Sequence, residues 1–300
     1  MVMLARILLV LTVCAAAYLI GVYQGYTQTW PVPQLRGLAA ASVKSYRIDK
    51  FGRLLSYPGK TEIPCPPQDK DTAVLLVFGQ SNSANLQGQR YAGIDDHVVN
   101  FSEGRCYIAS SPLLGADGRY GEPWTLLGNK LVRANLYRTV ILIPAGVGGS
   151  SIRQWRAGGD LNRMVISVIR NVKSRYTITA MLWQQGATDY SLGMTQDEYR
   201  SGLRSLIDSI RAEGVRAPFF ICTSSYQDSA SWSEDNPISR AQHSLVDGVS
   251  IFAGPDTDHD VTALDRYDGL HFSASGQEKF TDRWVDLLRE HRSAVAAPLP

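Results

Sequence analysis

The chain alternates short unbroken apolar runs with longer stretches whose apolar positions recur at helical spacing. The unbroken runs are 73–78 (AVLLVF), 139–144 (TVILIP), 178–183 (ITAMLW) and 218–222 (PFFIC), with weaker candidates at 106–109 and 249–253. A strand that is apolar at every position has both faces covered, which is the condition of a parallel sheet packed between helices. Between the runs, 124–136, 161–175, 196–213 and 275–292 read as helices. In the last, Phe280, Trp284, Leu287 and Leu288 fall at i, i+4, i+7 and i+8, one core-facing stripe. This order predicts βαβ units and an α/β catalytic domain over 71–292, followed by a short tail at 293–300.

The N-terminal part follows a different pattern. Residues 7–23 carry no charge, and with the residues before them approach the roughly 20 that span a bilayer. Residues 1–23 therefore read as a signal anchor, a transmembrane helix holding the rest at a membrane. A cleaved signal peptide ending near Ala15, Ala16 and Ala17 is the competing reading. Both put the remaining chain outside the cytoplasm, in a periplasmic or extracellular space. Residues 24–70 are punctuated by proline and read as a linker, with a short hairpin around 46–55.

Composition narrows the partners. A formal charge of +2, with Lys and Arg scattered, gives no phosphate-tracking surface and argues against nucleic acid. Cysteine usage leaves two readings open: a Cys65–Cys106 disulfide formed in an oxidising compartment, or free buried thiols at Cys65, Cys106 and Cys222. No Cys/His cluster has zinc spacing, so no metal and no cofactor is expected.

Sites in an open parallel α/β sheet form beyond the carboxyl ends of the strands. Three apolar runs end there in unusual motifs: Gly79-Gln80-Ser81-Asn82-Ser83, then Gly148-Gly149-Ser150-Ser151, then Gln184-Gln185-Gly186-Ala187-Thr188-Asp189. A fourth, Asp268-Gly269-Leu270-His271, precedes the last helix. A serine at a strand-to-helix turn can present both a nucleophilic hydroxyl and an inward N–H. A histidine must take its proton, and a carboxylate three residues earlier can fold back to hold the other ring nitrogen. His259, between Asp258 and Asp260, is the rival base. Gly149 lets its N–H approach an oxyanion, and Gln185 has an amide NH₂ to point at the same oxygen. Tyr120, Trp124, Trp155, Tyr190, Tyr226 and Trp232 lie in or beside the expected rim, where rings suit the apolar faces of sugars.

Taken together, Gly79-Gln80-Ser81-Asn82, Gly148-Gly149-Ser150-Ser151-Ile152 with Trp155, Trp183-Gln184-Gln185-Gly186 with Asp189, and Asp268 with His271 resemble the SGNH hydrolase superfamily. The likeness is to its sialate O-acetylesterase-like, carbohydrate esterase branch, over about residues 72–290. The resemblance implies a flavodoxin-like three-layer αβα sandwich with a five-stranded parallel sheet and a metal-free Ser-His-Asp triad. By that likeness Ser81 is the nucleophile, His271 the base and Asp268 its orienting acid. The N–H groups of Ser81 and Gly149 and the side chain of Gln185 form the oxyanion hole. Gln80, Asn82, Trp155 and Asp189 are expected at the substrate. Ala187 stands where the branch usually has glutamate, which weakens the inference about substrate class. The activity so implied is removal of acetyl or another small acyl group from a carbohydrate. An O-acetyltransferase acting on cell-envelope polysaccharide would use the same residues, and a non-catalytic glycan-binding protein would use the same fold.

Overall fold

The computed structural model describes residues 45–228, 230 and 232–295. The signal anchor expected at 1–23, the first part of the linker and the end of the tail lie outside them. Among the described residues no helix is long and apolar enough to cross a membrane.

Strands β1 (Arg47–Ile48) and β2 (Leu54–Ser56) pair as a small antiparallel hairpin. The main sheet has eight strands: β3 (Glu62–Ile63), β4 (Thr72–Gly79), β5 (Val98–Ser102), β6 (Arg105–Ile108), β7 (Thr139–Pro144), β8 (Ala180–Gln184), β9 (Phe219–Thr223) and β10 (Ile251–Asp256). Their spatial order is β10-β9-β8-β4-β7-β5-β6-β3. Every pair from β10 to β5 is parallel, whereas β6 runs antiparallel to β5 and β3 antiparallel to β6.

The expectation of five parallel strands is thus corrected to a mixed sheet of eight. The additional parallel strand is β5, whose VVNFS sequence hides a strand because Asn100 interrupts the apolar run. Asn100 is fully buried, and its carboxamide accepts from Leu114 N (2.8 Å) and donates to Leu114 O (3.0 Å), so the buried polar group is satisfied.

Helices lie on both sides, because alternate residues of a strand face opposite ways. Val74, Leu76 and Phe78 of β4 join a core with α2 (Ile152–Trp155), α3 (Asp160–Lys173), α5 (Gln196–Ala212) and α6 (Pro237–His243), while α4 (Ala187–Ser191) sits at the rim. Ala73, Leu75 and Val77 join a second core with α1 (Trp124–Arg133) and α8 (Ala274–Glu290). Two short helices, α7 (Thr257–Asp260) and α9 (Arg292–Val295), flank α8 in sequence. This is the expected three-layer αβα arrangement.

The stretch read as a linker carries β1 to β3 over its later part. Leu54 is fully buried, its N–H donates to Ala116 O (2.9 Å), and Cys65 is disulfide-bonded to Cys106. Cys222 remains a free, buried thiol.

Candidate active site

Strand β4 is the topological switch point: the next parallel strands in sequence, β5 and β7, lie on one side of it, and β8, β9 and β10 on the other. The carboxyl ends of β7, β4 and β8 are therefore neighbours, and three of the four motifs meet there. Gly79, the last residue of β4, has φ +133°, and a Cβ on it would lie 2.0 Å from Gln184 O of β8. Only glycine lets the two strand ends close so tightly. Ser81 follows in a 3-10 turn spanning Ser81–Ser83 and is 5% exposed.

The histidine loop is bound directly to this turn. Asn82 Nδ2 donates to Leu270 O (3.2 Å), and Asn82 Oδ1 accepts from Phe272 N (3.3 Å). The residue after Ser81 thus grips both neighbours of His271. Gln87, fully buried, adds a second bridge: its Nε2 donates to Ser81 O (3.1 Å) and its Oε1 accepts from Phe272 N (2.7 Å). Arg266 supports the loop from behind by donating to Leu270 O (2.7 Å).

Within the loop, His271 Nδ1 lies 2.6 Å from Asp268 Oδ2, while His271 N (2.7 Å) and Leu270 N (3.1 Å) donate to Asp268 Oδ1. Burial acts to raise the Asp268 carboxyl, but these bonds, led by the one from the His271 ring, outweigh it and hold the group below the ordinary carboxylate value. A carboxylate kept ionised on Nδ1 directs the basic Nε2 lone pair outward. The rival His259 is exposed and pairs with Asp260 (3.2 Å), and its neighbour Asp258 is turned inward to accept Ser225 N, Ser225 Oγ and Tyr226 N. Among the described residues no group of His, Cys, Asp and Glu could hold a metal ion.

Gly149 takes φ +64°, a conformation that favours glycine, and no atom lies within 4 Å of where its Cβ would be. It is exposed at the rim beside β4, and the loop is drawn there by Val147 N donating to Gly79 O (2.9 Å). Asp117, which no motif marked, accepts from Gly148 N (3.0 Å) and fixes the adjoining peptide.

The remaining predicted residues face inward. Gln185 is fully buried; its NH₂ donates to Ser150 O (3.0 Å) and to Asp189, and its Oε1 accepts from Tyr199 Oη (2.9 Å). Of the groups expected to form the oxyanion hole, Gln185 thus has both amide N–H bonds committed to Ser150 and Asp189. Asp189 is also fully buried and accepts from Ser151 Oγ (2.5 Å) and Ile152 N (3.0 Å), so it braces the start of α2. Burial pushes its carboxyl up, against those bonds. Gln80, 2% exposed, accepts from Gly186 N (3.1 Å) and Thr188 N (3.2 Å), tying the first motif to the third. Trp155 is core: fully buried, it donates to Ser150 Oγ (2.9 Å) and packs edge-on against Phe78 and Trp183. Of the residues expected at the substrate, Gln80, Asn82 and Asp189 thus tie neighbouring segments together and Trp155 packs in the core. Of the rim aromatics, Trp124 is also fully buried, whereas Tyr120 is 58% exposed.

Solved structures share this fold, two of them as follows. A protein of Arabidopsis thaliana superposes with a TM-score of 0.57 at 16% identity, covering 75% of this chain and 99% of its own. An alpha/beta hydrolase enzyme from the metagenome of Lake Arreo, Spain, superposes with a TM-score of 0.50 at 12% identity, covering 71% of this chain and 94% of its own. No curated protein matches the sequence. Residues 71–289 match the family described as carbohydrate esterase, sialic acid-specific acetylesterase. That match spans most of the chain, so the protein belongs to this carbohydrate esterase family and is a carboxylic ester hydrolase.

Proposed function

We propose that the protein removes O-acetyl groups from a carbohydrate through an acyl-serine formed on Ser81. One observation carries the reading: Asn82, next to Ser81, hydrogen-bonds the residues on both sides of His271, whose Nδ1 is held by Asp268. Ser81 Oγ attacks the ester carbonyl while His271 Nε2 takes its proton. The oxyanion is met by the N–H groups of Ser81 and Gly149. The C–O bond to the sugar then breaks, and the sugar oxygen leaves with the proton from His271. Water, deprotonated by the same imidazole, attacks the acetyl-serine and releases acetate. Asp268 keeps the ring oriented and stabilises the imidazolium without taking a proton.

The test is hydrolysis of p-nitrophenyl acetate and of acetylated glycans by the full chain, with mass spectrometry of the peptide bearing Ser81 after acid quench. Acetyl trapped on that peptide, and loss of roughly 10⁴-fold or more of the activity in Ser81→Ala without a change in Tm, are expected. Unchanged turnover in Ser81→Ala overturns the reading.

We further propose that this domain works outside the cytoplasm, held by a signal anchor at 1–23. The uncharged run at 7–23 and the Cys65–Cys106 bridge, a bond that persists in oxidising compartments, support this. Membrane fractionation with protease protection checks it; a chain found only in the cytosol with reduced Cys65 and Cys106 would refute it.

A further inference from the structure

We propose that Tyr267 and Tyr120 form the platform on which the sugar ring of the substrate lies, an inference that rests on the esterase reading above. Neither residue belongs to a motif of the site, yet both are large aromatics left open beside it: Tyr267 is 52% exposed and Tyr120 58%. The Tyr267 ring lies near-parallel to the His271 imidazole, 28° apart in plane with centroids separated by 6.0 Å.

The ring is held in place from three directions. Its hydroxyl donates to Leu86 O (3.0 Å), and its backbone N–H donates to His271 O (2.9 Å). Gly88 leaves the space it needs, since a Cβ there would lie 3.1 Å from Tyr267 Cδ1. Tyr120 is fastened to the same segment, its N–H donating to Asn85 O (2.9 Å). Burial first, then the nearby Asp268 and Tyr120, push the Tyr267 phenol up, so the ring stays neutral at any ordinary pH.

Tethered at its hydroxyl end, the phenol stays open to solvent. What it offers is a flat, rigid apolar face, which matches the C–H face of a pyranose and loses little side-chain entropy on binding. A pyranose laid on that face brings an ester on the ring or its exocyclic carbon alongside His271. The ligand is accordingly an acetylated pyranoside, recognised by its ring and not only by its acetyl group.

The experiment compares wild type, Tyr267→Ala, Tyr120→Ala and Tyr267→Phe on two substrates, an acetylated methyl pyranoside and ethyl acetate, which has no ring. Tyr267→Ala is expected to lower kcat/KM for the pyranoside by roughly 10-fold or more, mainly through KM, while ethyl acetate changes by less than about 3-fold. Tyr120→Ala is expected to act the same way more weakly, and Tyr267→Phe to keep most of the pyranoside activity. Equal losses on both substrates would mean that Tyr267 only steadies His271, and no loss on either would mean it does nothing for the sugar; either overturns the platform. Binding of the pyranoside to Ser81→Ala protein, read by saturation-transfer NMR and lost on adding Tyr267→Ala, tests the platform without turnover. A wild type inactive on both esters but retaining that Tyr267-dependent binding would sink the esterase reading and leave the platform standing.

Discussion

The motif side chains that follow β4 and β8 are packed and hydrogen-bonded, whereas the loop that carries His271 stands partly in solvent. On the first side Gln80, Asn82, Gln185 and Asp189 are all at most 3% exposed and satisfied by neighbouring loops. On the second, the side chain of Asp268 is 39% exposed and that of His271 19%, and the adjacent Tyr267 is more open still. The contrast separates two jobs. The packed side fixes where Ser81 and Gly149 sit, and the open side faces solvent. Substitutions on the first should be felt as stability, and on the second as rate.

The largest effect should come from Asp268→Asn, which keeps the shape but misdirects the imidazole. A loss of about 10⁴-fold in kcat with Tm nearly unchanged is expected, checked by steady-state kinetics beside a thermal melt. Asp189→Ala should do the reverse. It strands buried donors on Ser151, Ile152 and Gln185, at a cost of about 3–5 kcal/mol and a fall in Tm of roughly 10 °C. A stable but catalytically dead Asp189→Ala would break the distinction.

Gln87→Ala sharpens it, because Gln87 spans both sides through Ser81 O and Phe272 N. Here kcat should fall about 10- to 100-fold with KM steady, alongside a stability loss of about 1–3 kcal/mol.

The smallest effect concerns pH. Burial would raise the Asp265 carboxyl, but bonds from Lys279, Ser275 and Thr262 hold it at about 2, against an ordinary 3.8. A depressed folded value means that the stabilisation is present above the unfolded pKa and is lost as pH falls toward about 2. With Lys279 half exposed the contribution is about 1 kcal/mol. The Tm gap between wild type and Asp265→Asn, about 2–4 °C near pH 6, should close by pH 2 to 3. A gap that widens in acid would reverse the sign.

Much of this architecture is legible in the sequence. Strands β4, β7, β8 and β9 are unbroken apolar runs because both sheet faces are covered, and that condition leaves a clear trace. Strand β5 leaves none, since Asn100 is satisfied by a backbone partner far along the chain, and β3 has only two residues. Helix α6 does carry a local signal, since Asn236 followed by Pro237 is a cap and a first-turn proline. At the site, motif order brings Ser81, Gly149 and the Asp268–His271 pair to one rim. A motif does not reveal which way a polar side chain turns, and Gln185 and Asp189 lie inward. Gln87, Asp117 and Tyr267 belong to no motif, because their positions depend on how separate loops meet.

The margin of the sheet at β3 has one more consequence. A sheet edge exposes unpaired N–H and C=O groups that can recruit a strand from another molecule. Here the margin is two residues long and is followed by a covalent bond from Cys65 to Cys106 in the strand beneath. Little free ladder remains on that flank for a second copy to join.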